Sequence, residues 1–244
     1  MNMINFEYIL WAYFALNPLY IYLTFEKDKE KVLTNPDKKI NLYLLTILNL
    51  WLPTALLLWL GYIQAINFTD IGLVFQWDMT NYIFLAILIL VLIYFYISLE
   101  KLLKDEKLRL EVFNQMKSLS YILPNKPLEL KYYIFGVSVT AGICEELLFR
   151  GYLLHLFSEQ MPVYAAVLLS SIAFGLPHIY QGIVHIFRTM ILGIIMAVIY
   201  LATDSLILPI LLHALLDVYG GALAYVANSR QQELLPLDTT NKPS

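Results

Sequence analysis

Tyr132-Tyr-Ile-Phe-Gly-Val-Ser-Val-Thr-Ala-Gly-Ile-Cys-Glu145-Glu146-Leu-Leu-Phe-Arg150-Gly-Tyr-Leu-Leu-His-Leu-Phe157 is an apolar run with two acids and a base inside it. A run of about 20 apolar residues can cross a bilayer as a helix. An ionised group at that depth costs roughly 3 kcal/mol or more, so it faces protein or a wet cavity and has a partner. Glu146 and Arg150 are four apart, on one helix face, with the acid first, the better order for a helical ion pair. Glu145 lies about 100° round the helix and has no partner within the segment. The spacing predicts a supporting pair, Glu146–Arg150, and an available acid or base at Glu145. The competing reading is a charge cluster that only locks helices together.

The rest of the chain has the same character. Of its 244 residues 59% are hydrophobic and 14% charged, more apolar surface than a soluble domain of this size needs. Several runs reach membrane-crossing length, so the expected fold is all-α: a polytopic transmembrane helical bundle of about seven spans. The runs are Phe6–Phe25, Ile40–Ala65, Tyr82–Leu99, Tyr132–Phe157, Val163–Tyr180, Ile183–Thr203 and Leu206–Ala227. Three regions are expected: spans and loops over 1–131, a helical core over 132–227, and a polar, disordered tail over 228–244. The segment Leu102–Leu130 reads either as a short amphipathic surface helix or as a solvated linker.

Charge placement predicts topology. Of the 16 Lys and Arg, 12 fall within Glu26–Lys39 and Lys101–Lys131. Nearby Asp and Glu nearly balance them, which argues against nucleic-acid binding. By the positive-inside bias they are cytoplasmic loops, and seven spans then put the N-terminus outside. The N-terminus lacks a basic n-region and a small-residue cleavage site, so the first run is expected to be retained. An integral protein of the plasma membrane is expected, with its site open to the cytoplasmic half. The single cysteine, Cys144, excludes an intrachain disulfide. Beside Glu145 it reads as a small buried hydrophobe rather than a nucleophile.

Polar residues recur at depths compatible with one site. Counting along helices from the external turns puts Glu145 and His178 about 20–24 Å deep, and His213 and Asp217 about 12–18 Å. His213 and Asp217 are four apart, so the carboxylate is expected to orient the imidazole. His155, with no acidic partner in view, reads as an interhelical hydrogen-bond donor. A carboxylate and an imidazole can activate water for attack on a carbonyl, and a second imidazole can hold the oxyanion. The same four residues could instead ligate zinc with an open position. HExxH, Gly-x-Ser-x-Gly and Ser-His-Asp patterns do not occur.

Glu145-Glu146-x-x-x-Arg150, Phe174-x-x-x-His178 and His213-x-x-x-Asp217 together resemble the three motifs of the CPBP family, the CAAX-protease and bacteriocin-processing (Abi-type) intramembrane proteases. Phe149-Arg-Gly151, Ser170-Ser-Ile-Ala-Phe-Gly175, Leu192-Gly193 and the run Ser205–His213 also fit. The resemblance covers about Tyr133–Gly221. It implies an endopeptidase active within the bilayer on a membrane-associated protein or peptide. Glu145 and His178 would activate water, His213 and Asp217 would bind the oxyanion, and Glu146 and Arg150 would support them. The last position is often Asn in prenyl-protein members; an ionised Asp217 cannot donate to an oxyanion. It would orient His213, be protonated or ligate metal. The family has been described as both metalloprotease and glutamate-type, so zinc stays open. Two other classes stand beside the enzyme: a non-catalytic immunity or scaffold protein of the same fold, and a transporter or proton relay. Substrate identity and oligomeric state are not encoded in these patterns.

Overall fold

The structure is a computed structural model that describes residues 4–63 and 72–234. Eight principal helices and no strand are found among the described residues: α1 (Ile4–Thr34), α2 (Lys38–Tyr62), α3 (Met79–Lys104), α4 (Glu106–Met116), α5 (Pro127–Ser158), α6 (Val163–Gln181), α7 (Ile183–Thr203) and α8 (Ile207–Leu234). Six of them, α2, α3, α5, α6, α7 and α8, are long and apolar enough to cross a membrane. Only helices satisfy every backbone group inside lipid without closing a barrel, which is why this composition yields a helical bundle. This is a polytopic all-α membrane protein.

The first expected span, Phe6–Phe25, lies within α1, which is not among the six. Four tyrosines, Asn17 and Pro18 dilute its apolar stretch, and the helix runs on into the charged residues Glu26–Lys31. The expected loop Glu26–Lys39 shrinks to Asn35–Asp37, because α1 continues to Thr34 and α2 opens at Lys38. Of Leu102–Leu130, the surface-helix reading holds for α4, which buries no residue. Asp105 caps it by accepting from the Leu108 N–H at 3.0 Å. Residues 64–71, which include the end of the run expected over Ile40–Ala65, lie outside the described residues. The tail expected from Asn228 begins as helix, since α8 reaches Leu234; the rest lies outside the described residues.

Helix α5 is the centre. Half of its membrane window is buried, against 6% for α3, which faces outward with Leu90, Ile93, Tyr94 and Ile97 exposed. Large exposed apolar residues in such numbers mark a surface made for lipid. On α5, Leu147, Leu148, Phe149, Tyr152 and Leu153 form the main core with Leu10, Leu57, Leu60, Phe174 and Ala197. Phe14 of α1 packs edge-on against Phe149 and stacks on Tyr152. The entry to α5 is strapped to α2. Lys39, 2% exposed, donates to the Ser120 and Leu123 carbonyls at 3.0 and 2.9 Å and pairs with Glu129 at 3.2 Å. The Tyr43 hydroxyl donates to Ile122 O at 2.7 Å. A residue that reads as a loop lysine is therefore a buried clamp.

The winding of α5 is uneven. Tyr132–Ser138 and Leu147–Leu154 are π-helical and flank an α-helical Val139–Glu146. π turns are rare and concentrate at functional sites, because the extra residue per turn re-aims a side-chain face. Here the two acids sit at the end of the α-helical insert between them.

Candidate active site

Close approach of α5 and α8 comes first. A Cβ on Gly142 would lie 2.8 Å from Ala214 Cβ and 2.9 Å from the Ile210 carbonyl. Only glycine lets these backbones meet, and the contact sets Glu146 beside His213, the residue before Ala214. Gly193 does the same for α6 and α7: its Cβ would meet Ser171 Cβ at 3.1 Å and the Phe174 ring at 3.2 Å. Gly142→Val is expected to wedge α5 from α8. It should reduce any activity of a site built between these helices about 100-fold, the effect of an ångström-scale misplacement of groups that act together. Overpacking should also lower stability by about 1–3 kcal/mol. Initial rates and thermal melts of the purified variant measure both.

The charges then assemble around Glu146, which is fully buried. Arg150 Nη1 donates to Glu146 Oε1 at 2.8 Å, as the i,i+4 spacing predicts. The same oxygen accepts the His213 Nδ1–H at 2.7 Å. Arg150, 1% exposed, also donates from Nη2 to the Gly193 carbonyl at 3.1 Å and lies 4.1 Å from the centroid of Phe174. One guanidinium thus ties α5 to α6 and α7, and through Glu146 to α8. Stacking and forked donation together are what arginine offers and lysine does not.

His213 is 4% exposed. With Nδ1 held by Glu146, its Nε2 faces Glu145 Oε2 at 3.6 Å and Asp217 Oδ2 at 3.8 Å. The expectation that Asp217 orients this ring is corrected: Glu146 does so, because it makes the short bond. Glu146 is then more than half of a structural pair. Glu145 projects to the other side of the same imidazole, and Asp217 is the more open of the two, at 34% side-chain exposure against 15%.

His178 enters from α6, where α-helical bonding ends at Gly175 and a 3-10 turn, Leu176–Gln181, carries Pro177. Its Nδ1–H donates to the Phe174 carbonyl at 3.1 Å. Phe174 sits between the imidazoles, with ring centroids 5.5 Å from His178 and 5.7 Å, edge-on, from His213. The chain breaks between the runs Val163–Tyr180 and Ile183–Thr203: Gly182 has φ +100° and lets α7 start in a new direction. His155 does have an acidic neighbour, Glu159 one turn on at 3.6 Å, so it is a helix-end pair. Cys144 is free and buried with Leu50 and Ala141, in keeping with an apolar role.

Two participants carry no motif signal. Tyr180 stacks beside His178 at 6.2 Å, and its hydroxyl accepts from Gln181 Nε2 at 2.9 Å. Tyr13 of α1 is the other: Asn17 donates to its hydroxyl at 3.5 Å, Asn49 donates to Asn17 at 3.1 Å, and the charge of Glu145 reaches it. Interhelical polar bonds of this kind stabilise membrane bundles by about 0.6 kcal/mol each.

Zinc was tested against the donors. Among the described residues no three His, Cys, Asp or Glu side chains form a group that could hold a metal ion. His178 Nδ1 is engaged with the Phe174 carbonyl and His213 Nδ1 with Glu146, which leaves Nε2 of each ring as the position open to water or to a metal.

Residues 127–219 match the family described as "Type II CAAX prenyl endopeptidase Rce1-like". The matched segment begins with α5 and ends two residues beyond Asp217, so it contains all three motifs. No curated protein and no solved structure matches the chain. Three motif-bearing helices meet around one buried Glu146–Arg150–His213 hub, and the segment that carries them is similar to the Rce1-like Type II CAAX prenyl endopeptidases, in keeping with the resemblance to the CPBP family.

Proposed function

We propose that the chain hydrolyses a peptide bond of a membrane-associated protein or peptide of the CAAX type. In this reading Glu145 and His178 activate water, and His213 holds the oxyanion. The observation that carries it is the opposite setting of the two imidazoles. His178 gives its Nδ1–H to a backbone carbonyl, so Nε2 keeps a lone pair for water. His213 has carboxylates at both ring nitrogens, a setting for a ring that carries both protons and donates from Nε2.

The steps balance as follows. Water oxygen bonds to the carbonyl carbon while Glu145 takes its proton and His178 Nε2 aligns it. The carbonyl oxygen becomes an oxyanion facing His213 Nε2–H. The C–N bond breaks as Glu145 returns the proton to the leaving amine. Glu146 fixes the His213 ring and Arg150 neutralises Glu146. Asp217, unable to donate while ionised, serves as the second acceptor on Nε2. In this reading the Lys-rich connections are cytoplasmic, by the positive-inside bias, and the site opens towards that half of the cell membrane.

Wild-type protein and His178→Ala should be compared on a peptide ending in prenyl-cysteine plus three residues, with and without a zinc chelator. Cleavage is expected from wild type with or without chelator, and a loss of about 100-fold or more from His178→Ala. Equal rates for the two proteins would overturn the reading. Absence of cleavage on this peptide and on leader-type peptides would favour the non-catalytic immunity or scaffold role. Loss on chelation would restore zinc.

A further inference from the structure

The proposed reaction needs more donors than the three motifs supply. Oxyanion sites commonly converge two or more hydrogen-bond donors on the developing charge. Here His213 Nε2 is one, and the position where a second is expected, Asp217, carries an acceptor. Tyr180 is a side chain with a proton to give that lies against one of the two imidazoles. Its phenol oxygen already accepts from Gln181 Nε2 at 2.9 Å, so that bond does not use the phenolic hydrogen. Its ring lies alongside His178, the proposed water-aligning base, at 6.2 Å and 26°. That contact sets the phenol next to the imidazole from which water is aligned. The 3-10 turn after Phe174 brings this about. It carries both His178 and Tyr180, whose rings lie 6.2 Å apart.

We infer that Tyr180 donates its phenolic hydrogen to the substrate oxyanion, as the second donor beside His213 Nε2. This rests on the endopeptidase reading above. Gln181 is its positioning residue: by donating to the phenol oxygen it turns the O–H away from itself.

The test is Tyr180→Phe, which keeps the ring and its packing beside His178. On the prenyl-cysteine peptide kcat is expected to fall about 100-fold, the usual effect of losing one oxyanion donor, with KM changed less than about threefold. A structural role alone would move the melting temperature, and here no shift is expected. A second readout needs no turnover. A peptide phosphinate carries tetrahedral anionic oxygens at the scissile position; its affinity relative to the matched amide should drop about 100-fold in Tyr180→Phe and stay unchanged for the amide. Wild-type kcat and an unchanged phosphinate-to-amide ratio in Tyr180→Phe, with Glu145→Gln inactive, would overturn the Tyr180 role and leave the endopeptidase reading standing. Wild-type protein that neither cleaves the peptide nor prefers phosphinate over amide would overturn both.

Discussion

Glu145→Gln is expected to lower kcat for peptide cleavage by about 10²–10⁴-fold while leaving KM and the melting temperature close to wild type. The amide matches the carboxylate in size and sits at the same place, 3.6 Å from His213 Nε2 in the native side chain. What it loses is the ability to take a proton from water and return it to the leaving amine. Binding of the substrate uses other groups, so the loss should fall on kcat. The neighbouring carboxylate gives the contrast. Glu146→Gln retains an oxygen that can still accept from His213 Nδ1, but it surrenders the charge paired with Arg150. That variant should be both less active and less stable. Steady-state kinetics with melts on the two variants separates the roles. A Glu145→Gln protein that turns over at the wild-type rate would remove the general base from the proposal.

Arg150→Met is expected to destabilise the protein by about 3–5 kcal/mol and to abolish activity. Arg150 and Glu146 are both essentially fully buried, so removing the guanidinium takes one of two charged partners from a buried carboxylate and leaves it only His213. Three further contacts go with it: the bond to Gly193 O, the stack on Phe174, and indirectly the hold on His213. A buried ion pair replaced as a whole is often tolerated much better than one broken in half. The double variant Glu146→Leu with Arg150→Met should therefore melt above Arg150→Met alone, yet remain inactive because His213 Nδ1 has lost its anchor. A double variant no more stable than the single would show that the stack and the Gly193 bond, not charge burial, dominate the stability effect. Denaturation in detergent with a cleavage assay on the same samples distinguishes these outcomes.

Local physics made much of this molecule legible in advance. Helices follow from apolar runs that must satisfy their own backbone groups in lipid. The Glu146–Arg150 pair follows from four-residue spacing, and the break after Tyr180 from Gln181-Gly182. The motif positions Glu145, His178 and His213 stand out as polar residues inside apolar runs, and the family match covers the segment that contains them. The first run misled, because Tyr, Asn17 and Pro18 lower its apolarity without interrupting its helix. Lys39 misled too. Flanked by Asp37, Lys38 and Pro36 it reads as solvated, and only its carbonyl partners 81 and 84 residues away explain its burial.

What the chain's letters determined alone is an all-helical membrane body with an acid pair, two histidines and an aspartate at compatible depths. Those are consequences of helical period and hydropathy, which act over a few residues. Tertiary structure alone decided that Glu146, not Asp217, grips His213 across 67 residues, that Arg150 reaches Gly193 across 43, and that Phe174 and Tyr180 flank the imidazoles. Which faces of two helices meet depends on how closely their backbones can approach, and here the missing side chains of Gly142 and Gly193 set that distance.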